Sequence, residues 1–232
     1  MCSSDLVTEV LRSGYWACGP QVQALEQALC KRAGAQHAVA VGTGLGALRL
    51  ALIGLGVGPG DEVIIPAYSC VVLANTVLAL GAVPVLVDVR DADWNLDPAL
   101  VKRVASPRTR AIIPVNTFGA PAPLEELQDL NVPMVEDSAH SFGFSWKGKV
   151  LGGRGDAAIL SFNATKLMGA GEGGAIITSS DERASLMRSW RNYCNQPPES
   201  TRLNDKMTDV EAAIALCQLR RLDDIDRKST RL

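Results

Sequence analysis

The chain has 232 residues, 47% of them hydrophobic, a formal net charge of −2 and a mean hydropathy of +0.10. That is material for one large domain or two small ones with a sizeable core, and the charge gives no electrostatic reason to expect nucleic acid or an anionic membrane as a partner. No apolar run is long enough to span a bilayer and the N-terminus lacks a secretory pattern; the six cysteines contain no Cys-x-x-Cys pair and there are two histidines, which argues against a zinc site or disulfide frame and for reduced thiols in a cytoplasm.

The two ends are set apart from the fold. Asp226–Leu232 reads as the translation of GATCGGAAGAGCACACGTCT plus one base, a stretch resembling sequencing-adapter DNA. Met1–Leu6 reads as that of ATGTGCTCTTCCGATCT plus one base, from the opposite adapter strand. The expected domain therefore covers residues 7–225, from Val7 to Ile225, as a fragment truncated at both ends, with 1–6 and 226–232 as non-native tails. Sequencing the source locus tests this, and finding those codons in genomic context would refute it.

Gln21 to Arg32 has apolar residues at Val22, Leu25, Ala28 and Leu29, a helical period. Ala38–Val41 reads as a short strand, followed at once by Gly42-Thr-Gly-Leu-Gly46. Ala47–Ile53 then reads as a helix closed by the Gly56 and Gly58-Pro59-Gly60 breakers. The alternation continues through strand Val63–Ile65, helix Ser69–Leu80 and strand Val83–Val87 to helix Pro98–Val104, with a cap in Asn95–Asp97. Strand Ala111–Val115, helix Pro123–Leu130 and strand Val132–Val135 follow, the last running into Glu136-Asp137. Strands Asp156–Phe162 and Ala175–Thr178 bracket a glycine-rich loop that carries Lys166. Buried strands separated by helices predict an α/β fold with a doubly wound, mostly parallel sheet, its ligand at the carboxyl ends of the strands.

Strand, glycine turn and helix make an anion cradle, because free backbone N–H groups and the positive end of the helix dipole face the turn. Gly42-x-Gly44-x-x-Ala47 also satisfies the loose dinucleotide fingerprint, and a tight turn with no ligand is a third reading. The dinucleotide reading wants an acid at the end of the next strand. Here Asp61-Glu62 precede that strand and its end is Pro66-Ala67-Tyr68. Asp137, Ser138 and His140 fall on the predicted carboxyl edge, where each alone reads equally as a helix cap or a satisfied histidine. Lys166 alone reads equally as a surface lysine, although lysine is suited to Schiff-base chemistry. Taken together, these groups are what pyridoxal 5'-phosphate needs: a cradle for its phosphate, a carboxylate to keep its pyridine nitrogen protonated and a lysine to hold its aldehyde as an imine.

In several ordered blocks the chain resembles the DegT/DnrJ/StrS-type sugar aminotransferases, pyridoxal-phosphate enzymes of the aspartate-aminotransferase fold type I. The blocks are Ser13–Gly19, Gly58–Pro66, Pro84–Asp88, Glu136-Asp137 with His140, Ser161–Lys166, Gly171–Gly174, and Asn204–Thr208 before Glu211–Ala213. The resemblance runs from about Leu11 to Ile225. It implies that Lys166 is the catalytic lysine, that Asp137 pairs with the pyridine nitrogen and that His140 lies close to the ring. It implies that Gly44, Leu45, Gly46 and Ser161 hold the phosphate, and that Asn204 reaches the phosphate of a partner subunit's cofactor in a homodimer with shared active sites. The implied reaction moves an amino group from glutamate to a keto sugar nucleotide, in polysaccharide or secondary-metabolite biosynthesis in the cytoplasm. The family's dehydratase branch has histidine where this chain has Lys166, which favours amino transfer; a non-catalytic regulator keeping the fold is the remaining alternative. The chain departs from the family at Leu45, usually threonine, and at Cys70, usually an aromatic that stacks on the cofactor ring. Relatives continue past Ile225 into a smaller C-terminal domain, so weak or no turnover is expected of this segment. Arg191 and Asn192 fall in a block where relatives touch substrate from the partner subunit.

Overall fold

The computed structural model describes residues 3–193 and 202–229. Helix α1 (Ser3–Ser13) precedes α2 (Pro20–Ala33), which has Pro20 in its first turn and ends at Gly34 in the left-handed conformation. Strand β1 (His37–Val41) runs into α3 (Gly44–Gly54), followed by β2 (Glu62–Pro66), α4 (Val72–Ala79), β3 (Val83–Val87), α5 (Pro98–Val104), β4 (Thr109–Ile112) and the short α6 (Leu124–Leu127). After β5 (Val135–Asp137) come a hairpin of β6 (Ser145–Trp146) and β7 (Lys149–Val150), then β8 (Ala157–Ser161), β9 (Gly174–Thr178), α7 (Asp181–Arg191) and α8 (Asp209–Ser229). Among the described residues no helix is long and apolar enough to cross a membrane.

The strands pair in the orders β1-β9-β8-β5 and β3-β2-β4. Parallel bridges Ile112–Met134 and Val115–Asp137 join the two, with Ile112 N–H donating to the Pro133 carbonyl at 3.0 Å and Asp137 N–H to the Pro114 carbonyl at 2.9 Å. In the resulting sheet β9 alone runs against the others. The mostly parallel, doubly wound α/β fold is therefore as expected, apart from that antiparallel strand beside β1.

Several boundaries move, for local reasons. Helix α3 starts at Gly44 rather than Ala47, because the Thr43 hydroxyl caps it. Strand β5 starts only at Val135, and Asp137 is its last residue rather than a residue beyond it. Pro133 has no N–H to give a ladder, and Pro114 likewise limits β4 to Thr109–Ile112. The stretch Pro123–Leu130 yields α6 and then a 3-10 turn at Gln128–Leu130. Leu6 and Val10 of α1 pack on Ala213 and Cys217 of α8, so the N-terminal helix takes in part of Met1–Leu6.

Alternation along the central strands sends neighbouring side chains to opposite faces of the sheet. Val39, Val41, Ile159 and Ile176 join Leu48, Leu52, Val77 and Met187 on the face covered by α3, α4 and α7. Ala38, Ala40, Leu160 and Ile177 join Leu25, Leu29 and Leu216 on the face covered by α2 and α8. At the β3 end, Ile64 and Ile112 meet Val101 of α5 and Leu127 of α6. With both faces covered, the carboxyl edge is the open place where polar side chains can gather.

Candidate active site

The cradle is built where β1 hands over to α3. Thr43 stands in extended conformation, its Oγ1 accepting the Gly46 N–H at 2.9 Å and its carbonyl accepting the Ala47 N–H at 3.0 Å. First-turn N–H groups have no acceptor within their own helix, so those of Gly44 and Leu45 have no intrahelical partner. Of the four residues expected to hold a phosphate (Gly44, Leu45, Gly46 and Ser161), Gly46 therefore has its donor already engaged. What Gly46 supplies is room: a Cβ there would come 3.1 Å from Asp205 Oδ1, which also accepts from Arg49 Nη2 at 2.6 Å. The Leu45 side chain is 41% exposed at the mouth of the cradle.

Ser161, at the end of β8, lies directly against the cradle. A Cβ on Gly44 would sit 2.9 Å from Ser161 Cβ and 3.0 Å from its Oγ. Gly174, opposite Ser161 in the β8–β9 ladder, is equally constrained, since a Cβ there would come 2.7 Å from the Thr43 carbonyl oxygen. This gives a physical reason for the glycine that ends the Gly171–Gly174 block: strand β9 passes too close to the turn before α3 for any side chain.

The loop between β8 and β9 holds Lys166 outward by anchoring its flanks inward. Phe162 and Met168 are buried in the core beneath α2 and α8. Phe162 N–H donates to the Gly173 carbonyl at 2.8 Å and Ala170 N–H to the Phe162 carbonyl at 2.8 Å, which closes the loop at its base. Lys166 N–H donates to the Asn163 carbonyl at 2.8 Å and Gly169 N–H to the Lys166 carbonyl at 3.0 Å, a tight turn with the lysine at its corner.

Asp137 is 8% exposed at the end of β5, with Oδ1 accepting the Ala139 N–H at 2.9 Å. Burial pushes its carboxyl up to about 6, and the Glu136 charge adds to that, while the Ala139 N–H and the Lys166 charge oppose it. His140 stands at the exposed end of the same turn, yet partial desolvation of its ring, and then the Lys166 charge, hold it below its ordinary value. Ser138, Ala139, His140, Ser161 and Lys166 line one shallow depression. Lys166, Asp137, His140, Ser161 and Gly44 are thus brought together on the edge to which the sequence assigned them.

Cys70 and Asn204 are both exposed. Cys70 is an exposed free thiol in the turn before α4, its carbonyl accepting the Leu73 N–H at 3.2 Å. The aromatic groups on this part of the edge are Tyr68, Trp94 and Phe118, with ring centroids 5.0 Å apart for Tyr68–Trp94 and 6.5 Å for Tyr68–Phe118. Trp94 and Phe118 both have left-handed backbones (φ +58° and +52°), unusual for bulky side chains. Asn204 is exposed and bridges Asn192 through the backbone; it is the following residue, Asp205, that lies against Gly46. Arg191 is occupied internally: Nη1 donates to Glu26 Oε1 at 2.7 Å and to the Ala40 carbonyl at 2.8 Å. The sequence reading did not include Asn116 and Arg154, which hold Glu136 from behind; only the buried acid next to Asp137 hinted at a partner.

Residues 3–232 match the model of the DegT/DnrJ/EryC1/StrS aminotransferase family. The chain belongs to this family. Among its solved relatives, DesV from S. venezuelae, determined in complex with a ketimine intermediate, is 36% identical with a TM-score of 0.90, over 96% of this chain and 62% of that one. DesI, determined in the presence of its TDP-sugar product, is 29% identical with a TM-score of 0.91, over 98% and 60%. NtdA from Bacillus subtilis, with bound cofactor PMP, is 30% identical with a TM-score of 0.87, over 95% and 52%. The chain thus spans 62% of the length of DesV and 60% of that of DesI. Membership of the DegT/DnrJ/EryC1/StrS family weighs against the dinucleotide reading of Gly42–Ala47, as the misplaced acid already did.

Proposed function

We propose that this chain forms the cofactor-binding part of an aminotransferase that uses pyridoxal 5'-phosphate to move an amino group from glutamate to the keto carbon of a nucleotide-linked sugar. The observation that carries this reading is the convergence of Lys166, buried Asp137 and the α3 N-terminus with Ser161 on one sheet edge. The donor set fits that cofactor. A phosphate suits the first-turn N–H groups of Gly44 and Leu45 with the Ser161 hydroxyl, a pyridine nitrogen suits a carboxylate in a dry position, and an aldehyde suits a primary amine. NtdA, with PMP bound, supports the cofactor, and DesI, with its TDP-sugar product, supports the substrate class.

Bound there, the cofactor would supply the electron sink for the carbon that loses its proton. The rest of the work falls to the chain. Lys166 would hold the cofactor aldehyde and, once its amine is free, take a proton from the donor carbon and return it one position away, as a general base beside the reacting atoms. Asp137 would present its negative charge to the pyridine nitrogen, and His140 would line the ring. Asn204 would reach the phosphate held by a second copy of the chain, which makes a homodimer the working unit.

The test is to load the protein with pyridoxal phosphate, record its visible absorbance, reduce with borohydride and map the labelled peptide. The expected result is a band lost on reduction and a pyridoxyl group on Lys166, absent from Lys166→Ala. No adduct at Lys166, either in this chain or in the product of a full-length gene, would sink the reading.

A further inference from the structure

Behind Asp137 lies a buried polar cluster to which the proposed reaction assigns no part. Glu136 is fully buried and the Arg154 side chain is 4% exposed. Arg154 Nη2 donates to Glu136 Oε1 at 2.9 Å and to Asn116 Oδ1 at 3.0 Å; its Nε donates to Glu136 Oε1 at 3.1 Å and its backbone N–H to Glu136 Oε2 at 3.0 Å. Asn116 Nδ2 donates in turn to Glu136 Oε1 at 2.9 Å and to Ser138 Oγ at 2.8 Å, while the Asn116 backbone N–H donates to the Asp137 carbonyl at 3.0 Å. Ala122 N–H closes on Asn116 Oδ1 at 2.8 Å. The residue before Asp137, the residue after it and its own carbonyl are therefore all held by one cluster whose cation is Arg154.

A carboxylate inside a protein repels a second one beside it far more than it would in water. The groups whose charge bears on Asp137 are Lys166, from the loop across the site, and Glu136 on its own strand, with Arg154 behind the latter. A guanidinium can meet the Glu136 carboxylate and the Asn116 amide oxygen at once, because its donors form a planar fork.

We propose that Arg154 is a positioning residue for Asp137, acting through Glu136 and Asn116. It keeps the strand end in register and offsets the charge that would drive Asp137 toward its protonated form. What Asp137 is for rests on the aminotransferase reading; how it is held does not.

The deciding experiment is a carbon-13 NMR titration of the Asp137 carboxyl in the full chain without cofactor. Arg154→Met is expected to raise the midpoint by about one pH unit. Adding Glu136→Gln to Arg154→Met should return it close to the wild-type position, and Arg154→Lys should lie between. A wild-type midpoint in Arg154→Met, or a raised midpoint that Glu136→Gln leaves unchanged, overturns the proposal. If Arg154→Met does not fold, as judged by its melting curve, Arg154→Lys carries the test: a smaller rise supports the proposal and no rise overturns it. In the loaded protein, moving the midpoint from about 6 to about 7 should weaken pyridoxal phosphate retention about twofold at pH 7, in proportion to the ionised fraction of Asp137, and more steeply at lower pH. Failure of the wild type to bind pyridoxal phosphate would sink the proposed function, while the titration without cofactor would still decide the role of Arg154.

Discussion

Gly44 and Ser161 meet so closely that a single methyl group at residue 44 would lie 2.9 Å from the serine Cβ. Residues far apart in the chain are brought together here because β1 and β8 both flank β9, so the end of β8 faces the turn that starts α3. Gly44→Ala must push the two elements apart. Overpacking of this kind costs about 1–3 kcal/mol, and urea denaturation of the protein without cofactor should show a loss in that range. The same change should abolish tight pyridoxal phosphate binding, measured by absorbance. Wild-type values for both would remove the close approach from the account of the cradle.

Asp137 makes stability depend on pH in an unusual direction. A carboxyl raised from 3.8 to about 6 binds its proton more tightly in the folded state than in the unfolded chain. Its contribution therefore favours the fold fully below about pH 4 and is lost as pH rises through about 6, a swing on the order of 3 kcal/mol. Asp137→Asn, neutral at every pH, should be more stable than the wild type at pH 7 without cofactor and lose that advantage near pH 4. Parallel denaturation curves at the two pH values check this.

Lys166 acts on two titrating neighbours with one sign. Its positive charge lowers both the Asp137 carboxyl and the His140 imidazole. In Lys166→Ala both midpoints should move upward, that of His140 toward the ordinary histidine value. Proton and carbon NMR titrations of the variant follow the two sites separately, and a fall at either would contradict the placement of Lys166 near both.

The buried Glu136–Arg154 pair should behave asymmetrically on mutation. Removing Arg154 alone strands a buried negative charge, with an expected cost of about 3–5 kcal/mol. Replacing both members together, as in Glu136→Leu with Arg154→Met, should recover a large part of that loss, because apolar groups leave no charge unpaired. A double-mutant cycle by denaturation gives the coupling.

Capping of α3 provides a smaller effect. Thr43→Ala removes the acceptor of the Gly46 N–H and should cost about 1 kcal/mol of stability. It also frees a third N–H at the cradle. Phosphate-dependent stabilisation should then survive in the variant, although the protein melts at a lower temperature.

Much of the architecture was legible as local pattern. The Asp97 cap before Pro98, the strand Gly174–Thr178 and the buried run before Ser161 are all written in short windows of sequence, where side-chain period and turn residues decide. Lys166, Asp137 and the Gly44 turn could be placed on one edge because strands alternating with helices carry their loops to predictable ends of a sheet. The start of α3 was misplaced by three residues because the cap at Thr43 outweighs the poor helix propensity of Gly44 and Gly46.

The sequence by itself determined the alternation of elements, the residue types at the carboxyl edge and, through the ordered blocks, the family. Only the tertiary structure decided that Arg191 is turned inward to Glu26, that β9 runs against its neighbours, and that Arg154 lies beneath Glu136. The physical reason is the same in each case. Such facts depend on which groups meet across the sheet and on which donor finds its acceptor first, and no window of sequence contains both partners.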